Sequence, residues 1–185
     1  MSDVIAEIID LVIEHEGGFV HHEHDRGGAT RFGITEATAR RNRYFGPMDQ
    51  LDVSRARAIY RAEYVEAPGF DEIVKIDRRV GEELVDTGVL MGPGTATMLL
   101  QRGLNVFNAQ ASLYSDLKVD GGCGPLTRAA LQGYIQARGR AGIGVLVFAQ
   151  NATQCNRLME IAEADPTQES FCFGQIAQRC ARAYL

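Results

Sequence analysis

The chain reads as a mainly α protein, and three observations predict this. Apolar residues recur at helical spacing in segment after segment. Short glycine- and proline-containing breakers separate the segments, and no run alternates apolar and polar residues long enough for a sustained strand. The 185 residues, 45% hydrophobic and 23% charged, suffice for one domain with a solid core, or one domain and a small annex.

The first helix is marked by Val4, Ile5, Ile8, Ile9 and Val12, with Ser2 as its cap and Gly17 just past its end. A loop rich in glycine and polar residues runs from Gly17 to about Thr35, with room for a short hairpin around Gly27-Gly28. A second helix is expected from Thr35 through Arg43, ending near Gly46-Pro47; Arg40, Arg41 and Arg43 form its solvated face. Ser54 caps a third, which carries Ala58, Ile59 and Tyr64 until Ala67-Pro68-Gly69 stops it. Tyr60 and Tyr64 share one face of that helix, which reads as core. A fourth holds Ile76, Val80, Leu84 and Leu90 and stops before Gly92-Pro93-Gly94; a fifth holds Met98, Leu99, Leu100, Leu104 and Phe107. Residues 118–125 form a turn-rich spacer, and Pro125 suits the first position of a helix through Leu126, Ala130, Leu131 and Tyr134. Gly139, Gly142 and Gly144 loosen the chain before a longer helical stretch to Ile161, and Asp165-Pro166 opens the last segment. No internal repeat or low-complexity segment is present.

Composition removes several classes of function. A net charge of −5 argues against generic nucleic-acid binding and against strong attraction to an anionic surface. Asp3, Glu7, Asp10 and Glu14 interrupt the apolar run that a signal peptide would need. The expectation is therefore synthesis in the cytoplasm without a secretion signal. No window approaches the roughly twenty apolar residues of a membrane span. Cys123, Cys155, Cys172 and Cys180 lack metal spacing and read as reduced core thiols rather than a disulfide framework.

The chemistry concentrates near the first helix's end. Glu16 falls in the last turn, where unpaired carbonyls disfavour a charged carboxylate. That place suits a carboxylic acid that must hold its proton until it donates it. Glycines beside it let a substrate approach the backbone. Asp25 follows in a glycine-rich loop, and Thr30 after it. A proton donor, a second carboxylate and a hydroxyl on a bent loop suit a glycosidase cleft. Asp25 can equally cap a turn through its own backbone, and Thr30 can be a turn or strand hydroxyl.

The block Glu16-Gly17-Gly18-Phe19, Asp25-Arg26-Gly27-Gly28-Ala29-Thr30 and Phe32-Gly33-Ile34-Thr35 resembles the signature of glycoside hydrolase family 108, the N-acetylmuramidases of phage endolysins and secretion-associated lysozymes. Phe19 stands where that family has tyrosine. In the second half, Gly92-Pro93-Gly94, Leu100-Gln101-Arg102-Gly103-Leu104-Asn105, Val119-Asp120-Gly121 and Gly124-Pro125-Leu126-Thr127 are similar to the predicted peptidoglycan-binding domain paired with that family. The resemblance implies a lysozyme-like helical catalytic region over 1–91 and a helical peptidoglycan-binding region over 92–185, the two packing as one compact body if they are not separate. It implies hydrolysis of the β-1,4 bond from N-acetylmuramic acid to N-acetylglucosamine, without a cofactor. Glu16 would be the general acid, with Asp25 and Thr30 orienting a water for an inverting reaction. Phe32, Tyr64, Asp120 and Thr127 are the substrate-binding candidates, Tyr64 through sugar stacking. Peptidoglycan glycan strands would be the partner, met in the periplasm or cell wall after release through a holin or by another route.

Two rival readings follow from other residues. His15, His21, His22 and His24 lie beside Glu14, Glu16, Glu23 and Asp25, a composition that a zinc-dependent amidase or peptidase could use. His15-Glu16 opens a zincin motif, but Phe19 occupies the position of its second histidine, which leaves no metal site assigned. A non-catalytic wall-binding protein would use only the second half.

Overall fold

The computed structural model describes residues 3–16, 19–20 and 29–180, with the side chains of His15, Phe19 and Val20 outside the description. It is mainly α, as expected. Its Cα packing separates two compact units, Met1–Ala67 and Pro68–Leu185.

In the first unit, α1 spans Val4–Glu16 and buries Ile8, Ile9, Val12 and Ile13. Asp3 caps it, its carboxylate accepting from the amides of Ile5 and Ala6 at 3.1 and 3.3 Å, and Ser2, the expected cap, lies outside the described residues. Three two-residue strands follow, β1 (Phe19–Val20), β2 (Thr30–Arg31) and β3 (Ile34–Thr35), antiparallel in that order. β2 and β3 form a hairpin whose two-residue loop is Phe32-Gly33, placing Arg31 opposite Ile34. Both loop residues are left-handed, with φ of 51° and 70°, as the twist of a tight hairpin demands. The expected hairpin at Gly27-Gly28 lies outside the described residues. Thr35 caps α2 (Glu36–Arg41), and a 3₁₀ turn covers Met48–Gln50. α3 (Val53–Tyr60) begins at Asp52 rather than Ser54, because the Asp52 carboxylate takes the Arg55 amide at 2.8 Å. The helix then widens into a π turn over Arg61–Glu66. Arg57 reaches Asp10 at 2.6 Å and Arg61 pairs with Asp3, tying α3 and its π turn to α1.

The second unit is wholly helical among its described elements. The expected fourth helix is two: α4 (Phe70–Ile76) and α5 (Arg78–Met91). Asp77 breaks them apart with an extended backbone, then caps α5 by accepting from Arg79 and Val80 amides. α6 covers Pro93–Val106 and α7 Pro125–Ala164, both opening on proline. Gly139, at φ 61° and ψ −158°, interrupts α7 where the glycine run predicts loosening. Asp165 starts the closing segment, α8 (Glu169–Gln175) and a π turn over Ile176–Cys180. Phe70, Ile73, Val80, Leu84, Leu100, Leu104, Leu131 and Leu146 form the core, with α4 and α5 packed on α6 and α7. The cysteines are free but half-buried, so none is the core thiol that composition suggests. No described helix is long and apolar enough to cross a membrane.

Candidate active site

Glu16 is the last residue of α1 and half-buried. The hairpin turn of the same unit meets it. A Cβ built on Gly33 would come within 2.6 Å of Glu16 Oε2 and 2.7 Å of the Tyr60 hydroxyl. Only a glycine lets the β2–β3 turn press its backbone against that carboxyl group. Tyr60 is buried on α3, and its hydroxyl donates to the Phe32 carbonyl at 2.8 Å, holding the turn from beneath. Sequence periodicity assigns Tyr60 to the core, and it is core. Its second task, fastening the turn that touches Glu16, has no periodic signal; an internal phenol that needs a partner is the clue available.

Tyr64, four residues on, lies in the π turn with its ring 5.4 Å from that of Tyr60. Burial raises its phenol above the usual range, and the charges of Glu63 and Glu16 add to the rise while Arg41 opposes it. Glu63 is fixed by Asn42 Nδ2 at 2.9 Å and by Arg41 at 3.4 Å, which links α2 to the π turn. The expected solvated face at Arg40, Arg41 and Arg43 thus includes two working residues: Arg40 donates to the carbonyls of Tyr44 and Gly46 at 2.8 Å each. A π turn widens the helix by one residue, a feature that recurs at functional sites.

Phe32 sits at the tip of the hairpin, half-buried, with the Arg31 guanidinium 5.1 Å above its ring centroid. Thr30 lies on β2, paired with Thr35 on one side and Val20 on the other. The first unit therefore gathers Glu16, Phe32 and Tyr64 around Gly33 and Tyr60, with Thr30 on the strand that leads into the turn. Asp25 and His21, His22 and His24 lie outside the described residues, as does the side chain of His15.

Asp120 and Thr127 belong to the second unit. There Gln101, 2% exposed, is the hub of a loop-holding network. Its Oε1 accepts from the amides of Asp120 and Gly121 at 3.0 Å each. Its Nε2 lies 3.1 Å from both Asp120 Oδ1 and the Gly122 carbonyl, and 3.2 Å from the Thr127 hydroxyl. The buried Thr127 hydroxyl in turn donates to Gly122 at 2.9 Å. The Gly122 amide and Gln101 hold the Asp120 carboxyl below its ordinary range. These bonds fix the turn that starts α7. Gln101, the residue that organises them, lies within the block of residues 100–105, but no local pattern there marks it as the hub of the loop.

Residues 9–92 match the family Glycosyl hydrolase 108, and residues 95–180 match the Predicted Peptidoglycan domain. No curated protein matches the chain. Among solved structures, that of Brucella abortus SagA is similar, with a TM-score of 0.62 at 22% identity over 97% of this chain and 94% of that one; at such identity the likeness speaks for the fold. With both matches in order along nearly its whole length, the chain belongs to glycoside hydrolase family 108 and carries a predicted peptidoglycan domain after its hydrolase region.

Proposed function

We propose that the protein is an N-acetylmuramidase that cleaves the β-1,4 bond between N-acetylmuramic acid and N-acetylglucosamine, with Glu16 as the general acid. The observation that carries this reading is the Glu16 carboxyl at the end of α1, set against the Gly33 turn, in a glycosyl hydrolase family whose substrate here is peptidoglycan. A proton held at that carboxyl passes to the glycosidic oxygen as the bond to the anomeric carbon breaks. Asp25 and Thr30 hold the attacking water on the opposite face, so the first-formed sugar is the α anomer. Phe32 and Tyr64 supply apolar ring surface beside the acid for the sugar. The enzyme is made in the cytoplasm, reaches the wall through a holin or an equivalent route, and lyses cells there.

The test is digestion of purified peptidoglycan, borohydride reduction and mass analysis of the fragments. Reduced muramic acid at the new ends is the expected product. Anhydro-muramic acid would make the enzyme a lytic transglycosylase. Freed stem peptides with intact glycan would replace the reading by an amidase or peptidase, and intact substrate that still pellets the protein would leave a wall-binding protein.

A further inference from the structure

In the α6 block Leu100-Gln101-Arg102-Gly103-Leu104-Asn105, all residues but one have a structural task. Leu100 and Leu104 are buried in the core, and Gln101 holds the 120–127 loop. Gly103 leaves room for Leu146, whose Cδ1 would lie 2.9 Å from an added Cβ. Asn105 donates to the Leu117 carbonyl and accepts from the Leu117 amide, at 2.8 Å each. Arg102 alone is exposed, and no hydrogen bond or ion pair to another described residue engages its guanidinium. It lines a cavity of about 330 Å³ together with Met98 and Leu99 of α6, Val119, and Asn156, Arg157 and Glu160 of α7. That volume is at the small end of ligand sites, which run from about 300 to 1,000 Å³. On the α7 wall Glu160 is already held, by Asn156 at 2.7 Å and by Arg157 at 3.0 Å. The lining thus sets two guanidinium groups against one carboxylate, in a chain of net charge −5, and leaves the charge of Arg102 uncompensated.

We infer that this cavity takes the peptide stem of peptidoglycan, with a stem carboxylate on the Arg102 guanidinium and alanine methyl groups against Met98, Leu99 and Val119. The inference rests on the peptidoglycan reading above and adds which part of the polymer the second unit grips. A guanidinium presents parallel N–H donors that match a carboxylate, and neighbouring apolar side chains strengthen such a pair by excluding water. Stem peptides supply both partners: the γ-linked glutamate and the terminal residue carry free carboxylates, and the alanines carry methyl groups. The glycan does not, because in stem-bearing strands the lactyl carboxyl of the muramic acid is consumed in the amide to the peptide. Neutral sugar rings would leave Arg102 unpaired, and no aromatic side chain among the described residues lines the cavity for a ring to stack on.

The experiment measures calorimetric binding of the full chain to the free stem tetrapeptide L-alanyl-γ-D-glutamyl-meso-diaminopimelyl-D-alanine. It also compares pelleting in the cold with intact sacculi and with sacculi whose stems an amidase has removed. The wild-type chain should bind the tetrapeptide and pellet better with intact than with stripped sacculi. Arg102→Ala should weaken tetrapeptide binding by about 10- to 100-fold. It should pellet with intact sacculi no better than the wild type does with stripped ones, at an unchanged melting temperature. Arg140→Ala, at an arginine that is also exposed and unbonded but outside the cavity, should behave as wild type. Tetrapeptide binding untouched by Arg102→Ala, binding lost only alongside a lowered melting temperature, or equal pelleting with intact and stripped sacculi would overturn the inference. A chain that releases reducing ends yet ignores the tetrapeptide overturns this site alone. One that releases none and pellets with neither preparation overturns the peptidoglycan reading, and the site with it.

Discussion

Gly33→Ala tests how the candidate acid is held. The added methyl would lie 2.6 Å from Glu16 Oε2 and 2.8 Å from Glu16 Cγ, where ordinary contact begins at 3.4 Å. The carboxyl, the turn or both must yield by several tenths of an ångström. An alanine at φ +70° also carries a backbone cost of about 1–2 kcal/mol. Misplacing a reacting group by a fraction of an ångström to one ångström lowers rates by about 10- to 100-fold. The expected outcome is a folded protein, slightly less stable, whose release of reducing ends from peptidoglycan falls by that factor. Gly69→Ala is the control: it carries similar strain at φ +79°, yet its Cβ meets nothing closer than a carbonyl at 3.5 Å. If the two variants lose activity equally, the contact with Glu16 has no part in positioning the acid.

Other perturbations separate chemistry from stability. Glu16→Gln keeps the shape and removes the acid, and activity should fall by about two to four orders of magnitude at unchanged melting temperature; near wild-type lysis of outer-membrane-stripped cells would remove Glu16 from the mechanism. Gln101→Leu strips the hub of the 120–127 loop and should cost about 3 kcal/mol in denaturant melts, with Asp120→Ala milder; weakened pelleting with peptidoglycan at unchanged stability would assign the loop to binding instead. Burial, with the charge of Asp86, raises Glu83 from 4.5 to about 7 although Asn151 and Thr87 donate to it. The folded state keeps that proton longer than the unfolded chain does, so stability should decline by about 3 kcal/mol as pH rises from about 4.5 to about 7 and level off above. Glu83→Gln should flatten that slope in melts across the range, and an unchanged slope would locate the titration elsewhere.

Much of the helical plan was legible because apolar spacing reports burial directly, as at Ile8, Ile9 and Val12. What escaped is set by single backbone angles. Ile76, Val80 and Leu84 keep helical spacing straight through Asp77, so the pattern runs on although Asp77 ends one helix and caps the next. The Phe32-Gly33 turn lacks the Asn-Gly or Asp-Gly signature of a left-handed two-residue loop, and its strands are too short to alternate. For the candidate site, Glu16 stands out in the sequence as a carboxylate beside glycines. The support from Gly33 and Tyr60 arises from contacts 17 and 44 residues away in sequence, which no local pattern encodes.

The break between the two family matches falls near residues 92–95, whereas the packed bodies part between Ala67 and Pro68. α4 and α5 thus belong to the hydrolase match by sequence, yet their apolar faces are covered by α6 and α7. A chimaera joined at Gly92 would inherit Phe70, Ile73, Val80 and Leu84 shaped to a partner surface it no longer has, and would tend to aggregate. Joined at Ala67, each parent contributes a body with its own intact interior. Exchange of wall-binding modules among such enzymes therefore has a natural crossover point, and it lies inside the hydrolase family's own boundary.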